Sequence, residues 1–273
     1  IRMLFVTKAD GRKEPFNRNK IMRTCLRMRV PQGIAEKVVS EIERKAYNGI
    51  PTKKILHMVF DLLREYRPVH GYHICLREAI SLLRSKPDFE EFVRIILQNE
   101  GYEVEGNKIV MGKCVEHEID GIARKNGEIT MVEVKHRINH HVYIGLETCL
   151  EYYAAMLDIK EGGKLNFNKL MIVCNTKFSD HAIRFANCRN IALLGWRYPH
   201  SRGLEDIIEE FKLYPVTYLA DLKRADYEKL GDSNIVTLKQ LVQTDTNELK
   251  KATGIKFKVL EELQSKAKAI LEL

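Results

Sequence analysis

No stretch of this 273-residue chain approaches the roughly 18 consecutive apolar positions that a membrane-crossing helix needs. The first residues carry no basic-then-apolar leader, so no secretory signal is expected. Six cysteines, at 25, 75, 114, 149, 174 and 188, are scattered, and no two stand at Cys-x-x-Cys spacing. That speaks against a zinc ribbon or a redox pair. Reduced, mostly buried thiols in a cytoplasm are the expectation. Internal repeats and low-complexity runs are also missing.

What the chain does have is charge, unevenly spread. Its 45% hydrophobic and 30% charged residues are an ordinary globular composition, and its length is a prior for two domains or three small ones. Residues 1–86 hold 19 Lys and Arg against 8 Asp and Glu, whereas residues 87–213 hold 16 against 20. A basic segment favours phosphates, on nucleotides or nucleic acid. Soft boundaries fall at "RSKPDFEE" (84–91), where Pro87 interrupts and Asp88 can cap a new helix, and at "KLYPVTYLADL" (212–222), where Pro215 breaks the pattern. The expected pieces are 1–86, 87–213 and 214–273.

In the first piece, Asp10-Gly11 marks a hairpin, Asn17 can cap a helix through Ile21, Leu26 and Met28, and two further amphipathic helices follow, the first stopped by Gly49. A last helix is predicted over about 70–84. The segment resembles the ATP-cone, a nucleotide-sensing module, on Val6-Thr7-Lys8-Ala9-Asp10-Gly11-Arg12, Glu14, Asn17, Lys20-Ile21 and Tyr47-Asn48-Gly49-Ile50-x-Thr52. The resemblance implies Lys8 and Lys20 facing phosphates, Glu14 and Asn17 meeting the nucleoside, and Thr52 lining the pocket, with ATP or dATP as regulatory ligand. Ala9 and Leu56 depart from the family pattern and imply an altered affinity or ATP/dATP preference. A transcriptional regulator that shares the cone also carries a zinc ribbon, which this chain lacks.

In the second piece, "DFEEFVRIILQNEGYEVE" reads as an amphipathic helix stopped by Gly101, with Glu90 at the edge of its apolar face and Glu91 opposite. Strands over about 116–125 and 128–135 flank Asn126-Gly127, the strongest short hairpin signal. If Lys125 pairs with Glu128, Asp120 faces Glu133 and Glu118 faces Lys135, all on one face. Like charges directly opposed destabilise a sheet, and a hard divalent cation removes that cost. The constellation Asp120 … Glu133-Val134-Lys135 resembles the PD-(D/E)xK nucleases, in particular Mrr-like restriction endonucleases and Holliday-junction resolvases. A helix at 145–157, strands at 168–176 and 190–196 and an intervening helix are similar to the rest of that fold. The resemblance implies metal-assisted phosphodiester hydrolysis. Asp120, Glu133 and the Val134 carbonyl would hold Mg²⁺ or Mn²⁺, Lys135 would orient the attacking water or stabilise the phosphorus centre, and Glu90 would complete the shell. Tyr152 and Tyr153 make poor site candidates, because the helix lacks a clear Gln-x-x-x-Tyr. His117, His136, His140 and His141 fit no standard metal spacing and read as loop histidines beside the site, with "KHRINHH" placed to touch DNA phosphates.

The third piece reads as four or five short helices and resembles a helix-hairpin-helix domain on "LGDSNIVTLKQLV" and "ATGIKFKVLEELQSKA", where Lys256 and Lys258 follow Gly254. Such a hairpin docks on a DNA backbone without reading sequence. The expected fold class is therefore multidomain α+β and α/β: a mostly helical cone with a small hairpin, a restriction-endonuclease-like core with a mixed sheet, and an all-α C-terminal domain. The expected function is a cytoplasmic, metal-dependent nuclease acting on DNA, duplex or branched, responsive to nucleotide, with a homodimer as the plausible cutting form and no membrane partner. An RNA-processing nuclease, a non-catalytic nucleic-acid-binding regulator and a protein-interaction role for the last domain stay as alternatives.

Overall fold

The computed structural model describes residues 4–8, 10–28, 30–66 and 73–272. Ala9 lies outside them, as do residues 70–72 at the start of the last helix predicted for the first segment. The described residues divide into two compact units, one running to His73 together with Glu272, the other spanning Ile74–Leu271.

In the first unit β1 (Phe5–Thr7) and β2 (Lys13–Pro15) form an antiparallel hairpin, closed by the Lys8 N–H on the Arg12 carbonyl at 2.8 Å with Gly11 at φ +81°. Asn17 caps α1 (Arg18–Arg27) by accepting the Lys20 N–H at 3.2 Å, which satisfies one of the orphan donors of the first turn. The buried side of α1 is Ile21 and Cys25; Leu26, placed in the apolar stripe by spacing, is 46% exposed. Helix α2 (Gln32–Lys45) ends at Lys45 with Ala46 extended, so Gly49 is not its stop. Gly49, at φ +85°, turns the chain into β3 (Ile50–Pro51) and donates its N–H to Phe5. β3 pairs parallel with β1, giving the order β2-β1-β3, and α3 (Thr52–Tyr66) follows at once. Val38, Val39, Ile42, Ile50 and Leu63 are fully buried at the centre.

The second unit opens with α4 (Leu76–Leu82), a π-type turn over Ser85–Phe89 and α5 (Glu90–Asn99). Asp88 caps nothing. It is 1% exposed and takes a bidentate pair from Arg84 at 2.7 and 2.8 Å, because a buried carboxylate needs a cation more than a helix end needs a cap. Gly101, at φ +86°, follows the end of α5 as the sequence predicts. Strands β4 (Glu103–Glu105), β5 (Lys108–Met111), β6 (Glu116–Ile119), β7 (Gly121–Lys125) and β8 (Glu128–Lys135) come next. After the short β9 (Tyr143–Ile144), α6 (Leu146–Glu161) crosses to β10 (Lys169–Cys174). The short β11 (Lys177–Phe178) and α7 (Asp180–Arg189), capped by Ser179, then lead to β12 (Ala192–Leu194). The central sheet is mixed, in the order β12-β10-β8-β7-β4, with β12, β10 and β8 parallel and β7 antiparallel to both its neighbours.

Met131, Ile172, Cys149, Ile159 and Ala182 pack α6 and α7 against one face of this sheet. Helix α5 lies over the other, where Val132 and Val134 point. Its Phe92, Val93, Ile96 and Leu97 are all at most 2% exposed, each worth about 1.5–3 kcal/mol of burial. Helix α8 (Leu204–Glu210) precedes four helices: α9 (Arg224–Asp232), α10 (Leu238–Gln243), α11 (Thr246–Thr253) and α12 (Phe257–Leu271). The fold class is multidomain α+β, with a mixed five-stranded sheet and a helical C-terminus. The strand expected over 116–125 is split at Asp120 into β6 and β7, and β4, β5, β9 and β11 are not among the strands the sequence pattern marks out, since runs of two to four residues leave no period to read.

Candidate active site

The hairpin forms with the register its turn dictates. Asn126 and Gly127 both have positive φ, 54° and 79°, and the ladder runs from Lys125 opposite Glu128 to Gly121 opposite Val132. There it stops. Beyond it β6 leaves to pair with β5, setting Glu118 opposite Ile109. Glu118 accepts from Asn107 at 2.8 Å and from Lys86 at 2.9 Å, so the expected face-sharing of Glu118 with Lys135 does not occur. Gly121 lets the strands come close at the break: a Cβ there would lie 3.2 Å from the Glu105 carbonyl oxygen.

Asp120 sits in that break, at the open edge of β8, and accepts the Val134 N–H at 2.8 Å. N–H and C=O of one strand residue project to the same side, so the Val134 carbonyl faces the same open edge. Glu133, 3% exposed, points to the α6 face together with Lys135, whose ammonium lies 2.6 Å from it. Lys135 also donates to the Tyr152 hydroxyl at 2.7 Å and lies 4.4 Å from the centre of that ring. Glu90 projects from the first turn of α5 on the opposite face. Asp120, at the edge, thus meets one carboxylate from each face, rather than sharing a face with Glu133 as the ideal register predicts.

The electrostatics bear the mark of that crowding. Burial, and then the neighbouring Asp120 charge, push the Glu133 carboxyl up to about 7 despite Lys135. Burial and Asp120 raise Glu90 in the same way. Burial works to lower Lys135, but Glu133 and Tyr152 outweigh it and the net shift is upward. The Tyr152 hydroxyl is pushed up to about 12, chiefly by burial. Beside Asp120 opens a cleft of about 170 Å³, lined by Glu90, Asp120, Val132 and Val134 among others. Glu91 lines it too, paired with Arg94, instead of pointing away.

Two further side chains meet the candidate site residues: Tyr152, set aside above as a poor candidate, and Lys86, which the sequence did not single out. Tyr152 was legible in principle, since Cys149, Tyr152, Met156 and Ile159 follow a helical 3-4-3 spacing toward the sheet. Lys86 had no signal beyond its place next to Pro87. The four histidines do not form one cluster: the His140 and His141 rings lie 4.4 Å apart, and the other two stand elsewhere. His136 is buried between the Ile80 carbonyl (3.0 Å) and Ser85 (3.2 Å), His117 pairs with Asp158 at 2.8 Å, and His140 meets Ser81 at 3.2 Å.

In the first unit the structure brings three of the nucleotide-site candidates together. The Glu14 carboxylate bridges Lys8 at 3.3 Å and Lys20 at 2.8 Å, and these lysines hold its pKa below the usual range, Lys20 first. Asn17 is engaged as the cap of α1, and Thr52 starts α3 one residue past the Thr7–Pro51 pair, level with Lys8. At the other end of the chain Gly254, at φ +66°, ends α11, and Lys256 and Lys258 lie exposed at the start of α12. Among the described residues no helix is long and apolar enough to cross a membrane.

The ATP cone domain matches residues 4–85, a restriction endonuclease domain matches residues 84–195, and the AF1548-like C-terminal domain matches residues 214–271. An uncharacterized protein of Archaeoglobus fulgidus is 36% identical over 179 residues, covering 64% of this chain and 98% of that protein. The crystal structure of AF1548, a protein of unknown function, superposes with a TM-score of 0.60 at 34% identity, covering 67% of this chain and 96% of that one. The transcriptional repressor NrdR of Symbiobacterium thermophilum is 36% identical over 97 residues, 33% of this chain and 61% of the repressor. The chain belongs to the AF1548 family, with an ATP cone domain ahead of a restriction endonuclease domain and an AF1548-like C-terminal domain.

Proposed function

We propose that the chain is a divalent-metal-dependent DNA endonuclease of the cytoplasm whose activity responds to ATP or dATP bound at the cone. The working segments are 1–86 for nucleotide, 87–213 for cleavage and 214–273 for docking on the DNA backbone through the α11–α12 turn. The observation that carries this reading is the convergence of Asp120, Glu133 and the Val134 carbonyl edge beside the paired Lys135. Such a set costs stability unless a cation shares it.

The donors suit a hard ion: all are oxygens, two of them carboxylates. Among the described residues no three His, Cys, Asp or Glu side chains converge into a cage of their own, so the ion would rest on two side chains, a main-chain carbonyl and solvent, the habit of Mg²⁺. A bound Mg²⁺ or Mn²⁺ would supply an acidified water and neutralise charge developing on the phosphate. Asp120 is held in place by the Val134 N–H, and Glu133 is held by Lys135. Lys135 carries positive charge on the face where the phosphate would lie, aimed by Tyr152. Glu90 adds negative charge at the rim.

The direct test is a panel of supercoiled plasmid, linear duplex, branched, single-stranded and RNA substrates with and without Mg²⁺ or Mn²⁺. Metal-dependent cutting of DNA is expected; no cutting of any substrate sinks the proposal. Tyr152→Phe keeps the ring under Lys135 and removes the hydroxyl acceptor. It is expected to lower the cleavage rate about 10- to 150-fold, the scale of one charge-assisted hydrogen bond, with little change in metal affinity. An unchanged rate would leave Tyr152 as packing only.

For the cone, Lys8 and Lys20 supply point charges for phosphate, and Glu14 neutralises them until nucleotide arrives. Lys20→Ala should weaken ATP binding about tenfold in calorimetry. Equal affinity in both proteins would remove Lys20 from the pocket.

A further inference from the structure

Lys86 occupies a position that the proposed chemistry does not use. It leaves the π-type turn ahead of α5 and its ammonium lies among three carboxylates: 2.9 Å from Glu118, 3.2 Å from Glu90 and 3.4 Å from Asp120. Two of these, Asp120 and Glu90, belong to the candidate metal centre; the third, Glu118, comes from β6 and is itself steadied by Asn107. The arrangement differs from that of Lys135. Lys135 is 23% exposed, tied to one carboxylate and locked by Tyr152, whereas Lys86 is 55% exposed and bound by ion pairs to acids alone. A side chain so exposed can swing away without unpacking anything. The local charge is three carboxylates against one ammonium, so a cation is required there, and the chain supplies its own.

We infer that Lys86 is the resident counter-ion of the acidic centre and exchanges with the divalent ion, so that metal entry at Asp120 expels the Lys86 ammonium. The inference rests on the metal-centre reading above. A divalent ion seated on Asp120 and an ammonium 3.4 Å from the same carboxylate repel each other at close range. The flexible stem lets the lysine yield, while the metal, with its higher charge, keeps the carboxylates. Lys86 thereby sets a threshold: the centre binds its ion more weakly than its acids alone would, which keeps an unregulated metal site from being filled at low ion concentration.

The test is Mn²⁺ binding to the full chain, without nucleic acid, by isothermal titration calorimetry. Exposed ion pairs each shift an equilibrium by a factor of about 1.5 to 5. Lys86→Met removes three, two of them on acids of the metal centre, and is expected to bind Mn²⁺ about two- to 25-fold more tightly than the natural chain. Lys86→Arg should stay near the natural affinity. Lys268→Met, the same loss of charge on the exposed side of α12, controls for net charge and should not move. Lys86→Gln serves as a second neutral variant should the methionine protein melt early.

An unchanged or weaker affinity in the neutral variants would overturn the exchange and make Lys86 a scaffold for the carboxylates. Asp120→Asn separates the two ways of failing. If it abolishes Mn²⁺ binding while the Lys86 variants are unchanged, only the exchange is wrong. If it binds like the natural chain, the metal centre itself is wrong.

Discussion

Asp120→Ala is expected to lower metal-dependent cleavage by at least about 10³-fold, and Asp120→Asn by nearly as much. Losing a single preorganised polar group at a phosphoryl or acyl centre already costs about 10²–10³ in rate, and Asp120 would contribute to holding the ion itself. The two variants divide the role of the side chain. Alanine removes both the charge and the acceptor of the Val134 N–H, leaving that donor unpaired at a cost of about 1–3 kcal/mol. Asparagine keeps an oxygen for the N–H and removes only the charge. It also relieves Glu133 and Glu90 of a neighbour that raises both. The asparagine protein should therefore melt no lower than the natural chain at neutral pH while cutting little better than the alanine protein. Plasmid nicking rates beside thermal melts decide this. Full activity in the asparagine protein would remove Asp120 from the chemistry.

Glu133→Gln should flatten the pH dependence of stability. In the folded chain the Glu133 carboxyl is raised from its ordinary 4.5 to about 7, first by burial and then by Asp120. A raised acid binds its proton more tightly folded than unfolded. Its folded form thus carries no penalty below about pH 4.5, loses stability as pH climbs from 4.5 to 7, and levels off above 7. A rise from 4.5 to about 7 corresponds to an upper bound on the order of 3 kcal/mol, and at 3% exposure little of it is screened by solvent.

Glutamine has no proton to lose, so its profile lacks this descent. The natural chain's stability relative to the variant should fall by about 2–3 kcal/mol between pH 4.5 and 7.5 in urea titrations. Adding Mg²⁺ or Mn²⁺ at pH 7.5 should then restore stability to the natural chain by mass action and do little for the variant. Parallel profiles in the two proteins would show that Glu133 stays ionised and paired throughout.

These two expectations draw on different sources. The Asn-Gly turn marked Asp120, Glu133 and Lys135 as candidates through the register it imposes, but the structure keeps that register only from Lys125–Glu128 to Gly121–Val132, and Asp120 lies beyond its end. The fold class was legible for the same kind of reason. Amphipathic helices of ten residues or more, and strands bounded by turn residues, carry their periods within themselves, as in α2, α3 and α5. The motif pieces Lys8, Glu14 and Lys20 likewise converge, since two short strands and a capped helix bring them to one corner.

The exceptions involve pairings that the local period does not encode, most of them between residues far apart along the chain. Register alone put Glu118 against Lys135, but β6 follows β5 instead, and its acid goes to Lys86 and Asn107. Asp88 looked like a cap and is the buried partner of Arg84. Tyr152 was set aside for want of a motif, yet it is the hydroxyl that meets Lys135. Local sequence determined the periods, the turn and the identities of the acids, because those depend on backbone geometry within a few residues. Tertiary structure alone decided which cation each acid meets and how strongly burial raises Glu133, because burial and charge pairing belong to surfaces that exist only after distant segments have packed.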